Sequence, residues 1–284
     1  MRIALVCWRP VAADILLGWA ASRGHEVVLV ETTKGRPSLR SDGWESVLEQ
    51  VPFDVTSVVA RHPVDVAHVV EAAEPDFLVC FTYPHLLDDR TIAAPRVAAL
   101  NVHPGKLPEY RGPNPLWAIY RGDDEMGITV HRISSGFDTG RVMAVTSVAV
   151  DGMMSPARLR DIYSATIPAT LDIAVGRAVA GDEGESQPEG DYEVLPLFVQ
   201  DDGDLDWSLT PRDLMCRWTA CDFGGIHVTL PMPEGRRRVN AMSVVSHAAS
   251  DQEPGTVLAS LGRDSIVAAR EGIVLVEFAE PAPE

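Results

Sequence analysis

Basic residues are scarce in this chain: 24 lysines and arginines face 41 aspartates and glutamates, a formal net charge of −17 at pH 7. An acidic surface repels phosphate backbones, so nonspecific nucleic-acid binding is disfavoured, although a local basic patch would escape that objection. Cysteine is sparse as well. Cys7, Cys80, Cys216 and Cys221 form no CxxC pair, and the first two fall in apolar runs that read as buried strands. All four are expected to be reduced and structural, with no metal site among them. No apolar run approaches the length of a membrane span, and residues 1–7 make too short a run for a signal peptide. A cytoplasmic location without a membrane partner is therefore expected. A GxGxxG turn is missing after the first apolar run, where Trp8-Arg9-Pro10 stands instead. This removes the usual pyrophosphate seat and argues against a nicotinamide or flavin enzyme.

What remains is an ordinary globular composition, 46% hydrophobic and 23% charged, and 284 residues suffice for two domains with cores. Residues 2–7 read as a buried parallel strand, 11–23 as a helix stopped at Gly24, and 26–31 as the next strand. Such a β-α-β opening belongs to a doubly wound α/β sheet. Further on, 65–73 reads as a helix, 77–81 as a central strand, and 126–133 and 142–150 as strands. Residues 154–179 make a long helix, interrupted or kinked at Pro168. The acidic, Pro/Gly-containing run 181–190 reads as a linker. Beyond it, Thr210 and Pro211 open a helix over 211–220. Five short runs (226–230, 238–245, 255–259, 265–269 and 272–278) then suggest a small β-barrel. The domain reading is 1–180, a linker at 181–202, and 203–284.

The stretch 101–140 concentrates the polar chemistry. Asn101 and His103 stand two residues apart where the apolar run 97–100 ends, so in an extended chain both face one side. A Pro/Gly-rich loop, 104–115, cannot continue a sheet. The stretch closes on Phe137-Asp138-Thr139-Gly140, a turn with one carboxylate. Each residue alone reads as a cap, turn or packing residue. Together, an amide, an imidazole and a carboxylate suit acyl or proton transfer.

These elements carry a resemblance. Asn-x-His, then Leu107-Pro108-x-Tyr110-Arg111-Gly112, Gly127-x-Thr129-x-His131 and Phe137-Asp138-Thr139-Gly140 together resemble the formyltransferase family. The likeness extends over nearly the whole chain, including an Asp-Trp-Ser at 206–208 and a Gly-Thr-Val at 255–257. It implies a Rossmann-like catalytic domain with a mostly parallel sheet, followed by an OB-like β-barrel, and 10-formyltetrahydrofolate as co-substrate. On that resemblance Asn101 is the donor to the formyl oxygen and His103 the imidazole that, protonated, stabilises the oxyanion and exchanges protons. Asp138 pairs with His103 and favours its charged form. Phe81, Tyr83, Leu86 and Leu87, in the place of the family's pterin loop, with Ser135, Gly136 and Phe137, form the expected co-substrate pocket. Lys106, Tyr110, Arg111 and His131 are the expected acceptor-side residues, while His85 reads as an exposed loop residue.

The acceptor is expected to be a small-molecule amine: an amino sugar, a sugar nucleotide or a specialised-metabolite amine. Initiator Met-tRNA is the alternative. In tRNA-binding members a basic insertion follows the second strand, whereas here Lys34, Arg36 and Arg40 are offset by Asp42, Glu45 and Glu49. Residues 201–284 hold seven arginines, three of them at 236–238, against fourteen acids, a poor clamp for RNA. Gly105-Lys106-Leu107-Pro108 stands where many members have Ser-Leu-Leu-Pro, and Lys106 could instead meet an anionic acceptor. Hydrolysis of the formyl donor ranks below both, on the reading that the chain opens directly with its first strand, and a non-catalytic folate-binding homologue ranks last. Oligomeric state is left open.

Overall fold

The computed structural model describes residues 1–34, 44–61, 66–151, 154–248 and 250–280. Arg36, Arg40 and Asp42, and the start of the helix expected at Asp65, lie outside them. Its contacts divide the chain into two compact units. One comprises residues 1–115, 127–147 and 162–195, the other 116–126, 148–161 and 196–284.

In chain order the elements up to residue 179 are β1 (Arg2–Cys7), α1 (Pro10–Ser22), β2 (Glu26–Thr33), α2 (Trp44–Leu48), β3 (Thr56–Ala60), α3 (Ala67–Ala73), β4 (Phe77–Phe81), α4 (Asp89–Ala93), β5 (Ala98–His103), α5 (Trp117–Arg121), β6 (Glu125–Arg132), β7 (Val142–Ala149) and α6 (Pro156–Val179). The sheet of the first unit runs β3-β2-β1-β4-β5-β6-β7. Its first five strands are parallel and β6 pairs antiparallel with β5. β4 throughout and β1 from Ile3 onward are apolar and buried because both their faces are covered, the signature of central parallel strands. β3, α4 and α5 have no counterpart among the expected elements. Five residues are too few for periodicity to declare a helix; α4 forms because the Asp88 carboxylate caps it, accepting from Thr91 N at 2.8 Å. α6 runs unbroken through Pro168. Among the described residues no helix is long and apolar enough to cross a membrane.

Register fixes what shares a face. Val58, Glu31, Val6, Cys80, Asn101 and His131 are successive partners across β3, β2, β1, β4, β5 and β6, so their side chains project from the same side of the sheet. His103 and Thr129 form the next such pair on β5 and β6. Phe81 pairs with Val102 and projects from the opposite side, 1% exposed.

The stretch expected as a linker is tied into this unit. Val142 and Glu185 exchange both backbone hydrogen bonds, at 2.8 and 2.9 Å. Arg177 holds Asp182 and Glu185 at 2.7 and 2.8 Å, and Leu195 N donates to Arg111 O at 3.0 Å. An acidic, Gly/Pro-containing run looks detached because it has no apolar face of its own; here backbone pairing and arginine bridges hold it.

The second unit contains a 3-10 turn (Gln200–Gly203), α7 (Pro211–Phe223), and an antiparallel sheet in the order β10-β11-β12-β9-β8 from β8 (Thr229–Met232), β9 (Gly235–Ser246), β10 (Val257–Leu261), β11 (Asp264–Ala269) and β12 (Gly272–Phe278). Thr210 caps α7 in a reciprocal box with Asp213, as expected of the N-cap position. Trp207, Leu214, Trp218, Val267, Val274 and Phe278 lie in its core. The expected antiparallel strands are present, with edges at β10 and β8; among the described residues no pairing joins those edges into a barrel.

Candidate active site

The end of β5 presents Asn101 and His103 on one face of the sheet, and antiparallel β6 sets His131 beside Asn101 and Thr129 beside His103. The turn after β6 brings Asp138 to the same place. Asn101 Nδ2 lies 3.0 Å from His131 Nε2 and 3.2 Å from Asp138 Oδ1, and His131 Nε2 is 3.3 Å from the same oxygen. Asp138 Oδ2 accepts from Gly112 N at 3.4 Å and faces His103 Nδ1 at 3.6 Å. His103 Nε2 is 2.7 Å from the Tyr110 carbonyl.

These contacts place protons. A carbonyl only accepts, so His103 carries its proton on Nε2 and turns the Nδ1 lone pair toward Asp138. By the same argument His131, whose Nδ1 is 2.8 Å from Arg132 O, carries its proton on Nδ1 and accepts from Asn101 at Nε2 in the neutral ring. Asn101 then spends both amide hydrogens, one on His131 and one on Asp138. The opposite amide orientation would set two carboxyl-type oxygens against each other.

Burial lowers the proton affinity of His103 below that of an ordinary imidazole, and Asp138 restores only part of it against the opposing influence of His131 and Arg111. Asp138 does favour the charged form of His103, as expected. The pair exists, but desolvation of a ring only 5% exposed outweighs it and His103 rests neutral. Burial would raise the Asp138 carboxyl. The charge that His103 and His131 bring when protonated, His131 Nε2 then donating to Oδ1, and the Gly112 amide together hold it below the usual value, so it is ionised.

Small residues make this approach possible. A Cβ on Gly105 would stand 2.8 Å from His103 Nε2, and one on Gly140 would collide with the Arg132 carbonyl. Thr129 pins the loop, its hydroxyl donating to Gly105 O at 2.7 Å and accepting from Leu107 N at 3.3 Å.

The other expected residues divide. Tyr110 joins through its carbonyl, and Arg111 through a 2.6 Å bond to Gln187. Lys106 is exposed, its stem against Gly127. Tyr83 and Leu87 pack in a cluster with Cys80, the neighbour of Asn101 in register. Leu86 and Phe137 keep 40% and 49% of their surface exposed, Ser135 is exposed and Gly136 packs on Thr139. Phe81 does not join them, being buried on the opposite face. His85 is half-buried rather than exposed.

Two residues escaped sequence reasoning. Gln187 donates to the carbonyls of Asp138 and Gly140, each at 2.8 Å; nothing in the acidic run around it signalled a role. Glu31 has no exposed surface, and its Oε1 accepts from Tyr83 at 2.8 Å while Oε2 has no partner among the described residues. Burial pushes its carboxyl up to about 8, against the lowering influence of Tyr83. An acid closing an apolar strand was the available signal. Nearby, burial and then the charge of Glu31 push the Cys7 thiol up to about 12, so it stays protonated; all four cysteines are free.

Against known protein families, residues 13–166 match the formyl transferase family. A methionyl-tRNA formyltransferase of Desulfotalea psychrophila is 27% identical over 272 residues, covering 90% of this chain and 81% of that one. Among solved structures, HypX from Aquifex aeolicus in complex with tetrahydrofolic acid superposes with a TM-score of 0.68 at 19% identity, over 97% of this chain and 43% of HypX. An N-formyltransferase from Helicobacter canadensis, in complex with folinic acid and dTDP-3-aminofucose, gives 0.65 at 14% identity, over 98% and 99%. This chain therefore spans less than half the length of HypX, and at such identities the structural likenesses speak for the fold.

Proposed function

The chain belongs to the formyl transferase family, and from that premise we propose that it moves the formyl group of 10-formyltetrahydrofolate to the amine of a small molecule. The observation that carries this reading is the convergence of Asn101, His103, His131 and Asp138 from adjoining strands and one turn. The two exposed apolar side chains at the neighbouring loops, Leu86 and Phe137, offer the flat surface a pterin would cover.

In this reading Asn101 turns one amide hydrogen from its internal bonds to the formyl oxygen, where negative charge develops. Neutral His103 takes the proton of the attacking amine at Nδ1, and Asp138 stabilises the imidazolium that forms. The same proton then passes to the tetrahydrofolate nitrogen as its bond to the formyl carbon breaks. Arg111 and Lys106 suit an acceptor with an anionic group. The five-stranded second unit is compatible in strand count with an OB-like module.

Methionyl-tRNA is the second reading, favoured by the likeness to the Desulfotalea psychrophila enzyme along 90% of the chain. Charge opposes it. Within residues 201–284 the arginine run is also largely engaged: Arg236 donates to Leu205 O at 2.6 Å, and Arg237 lies 4.6 Å over Phe278.

The test is release of tetrahydrofolate from 10-formyltetrahydrofolate with a panel of amino sugars, sugar nucleotides and charged Met-tRNA, in the native protein and His103→Ala. Amine-dependent release that falls about 100–10,000-fold in the variant is expected. Release that needs no amine would replace this reading with hydrolysis, and release with Met-tRNA alone would replace the acceptor.

A further inference from the structure

Asp138 occupies the left-handed region at φ +54°, sparsely populated by residues with a Cβ. Gly140, two residues later, lies so close to the Arg132 carbonyl that no Cβ fits. A turn of this kind needs an external anchor, and one side chain supplies it. The two amide hydrogens of Gln187 go to Asp138 O and Gly140 O, each at 2.8 Å, and its Oε1 accepts from Arg111 Nη2 at 2.6 Å. Reversing the amide would oppose three oxygens to one another and an amine to a guanidinium, so a single orientation satisfies all three bonds.

Gln187 is itself held. Two residues before it Glu185 pairs with Val142, and further along Leu195 N binds the Arg111 carbonyl. The chain from 185 to 195 therefore reaches Arg111 from two sides and the Asp138 turn from one. Asp138, His131 and Arg111 are the charged or titratable groups that act on His103, and Gln187 holds two of the three.

We propose that Gln187 is a positioning residue of this site, setting the Asp138 turn and the Arg111 side chain through its three hydrogen bonds. Its kinetic consequence rests on the formyl-transfer reading. Its geometric consequence, the placement of Asp138 against His103, does not.

Gln187→Met keeps the length of the side chain and drops all three bonds. The expected result is a kcat lower by about 10–100-fold with little change in KM for the formyl donor, since a small misplacement near the reacting atoms has effects of this order. In an Asp138→Asn background the same substitution should change kcat by less than about threefold, because the group it positions is already altered. Gln187→Glu restores the Arg111 bond and opposes a carboxylate to two carbonyls, so its kcat should stay low.

The His103 ring titration, followed by NMR, needs neither donor nor acceptor. It should move to lower pH in Gln187→Met, because the influence of Asp138 on His103 outranks that of Arg111. The proposal is overturned if Gln187→Met keeps native kinetics and a native His103 titration. It is also overturned if the kcat loss is equally large in both backgrounds with a lowered Tm, which marks a residue that merely holds the fold. A moved titration in a protein that formylates no tested amine would leave Gln187 as proposed and remove the functional reading instead.

Discussion

Glu31 and Asp138 are two carboxylic acids of one unit, the first with no exposed surface and the second with 12% of its side chain exposed, and their protons go opposite ways. Glu31 stands on β2 in the cross-sheet row that also holds Asn101, three strands away or about 14 Å at the usual spacing. Among the described residues it meets one phenol and leaves Oε2 unpartnered. Asp138 meets a backbone amide, a side-chain amide and two imidazoles. Burial raises both acids. Only where donors and available positive charge converge is that tendency reversed, so the number and kind of partners, more than depth, separates a neutral acid from an ionised one.

Removing the anion should have the largest effect. Asp138→Asn keeps the shape of the side chain and withdraws the charge that favours a protonated His103, which the proposed transfer uses. A fall in kcat/KM of about 100–10,000-fold is expected in the tetrahydrofolate-release assay, with the His103 titration displaced further toward acid. A variant with native turnover would show that the contrast between the two acids has no bearing on catalysis.

Half of this contrast was legible in the chain. Asn101, His103, Thr129 and His131 lie at alternate positions of two extended runs, so period two alone predicts a common face, and register on β5 and β6 bears it out. Asp138 was readable because it sits before Thr-Gly in a turn. Gln187 was not, since hydrogen bonds to the carbonyls of residues 49 and 47 positions away leave no mark on the composition around it. The resting charge of His103 was not legible either, because it depends on whether desolvation or Asp138 wins, and the depth of a side chain is a property of the packed unit. Phe81 failed for a simpler reason: at a strand end one position decides the face, and it falls on the wrong one. Short elements such as β3 and α5 carry too few residues for periodicity to show.

Neutralising the other acid should have a smaller effect of opposite sign. With its carboxyl moved from the ordinary 4.5 to about 8, Glu31 keeps its proton in the folded chain while an unfolded chain loses it. Above about pH 4.5 the folded state then binds more protons, so stability falls as pH rises and levels off above about 8. Glu31→Gln removes this dependence. At pH 8.5 the variant should be more stable than the native protein by a few kcal/mol in urea titrations, and at pH 4 the two should nearly coincide. A native protein whose stability does not decline between pH 5 and 8, beyond the slope that Glu31→Gln retains, would mean Glu31 finds a second partner in solution.

The smallest effect isolates the bond that Glu31 does have. Tyr83→Phe deletes the hydroxyl that donates to Oε1 and leaves both carboxyl oxygens without a partner among the described residues. Below pH 7 Glu31 is neutral and the lost bond is between neutral groups, so a destabilisation of about 1 kcal/mol is expected. Near pH 9 the native bond is to a carboxylate, and the loss should grow to about 1.5–3 kcal/mol. Because the phenol lowers the proton affinity of Glu31, its removal also carries the decline in stability to higher pH than in the native protein. Tyr83→Phe in a Glu31→Gln background should lose the growth with pH and keep only the neutral-bond part. If the loss grows with pH in that background too, the phenol is answering some other ionisation, and the pairing of Tyr83 with Glu31 is not what sets this corner of the sheet apart from Asp138.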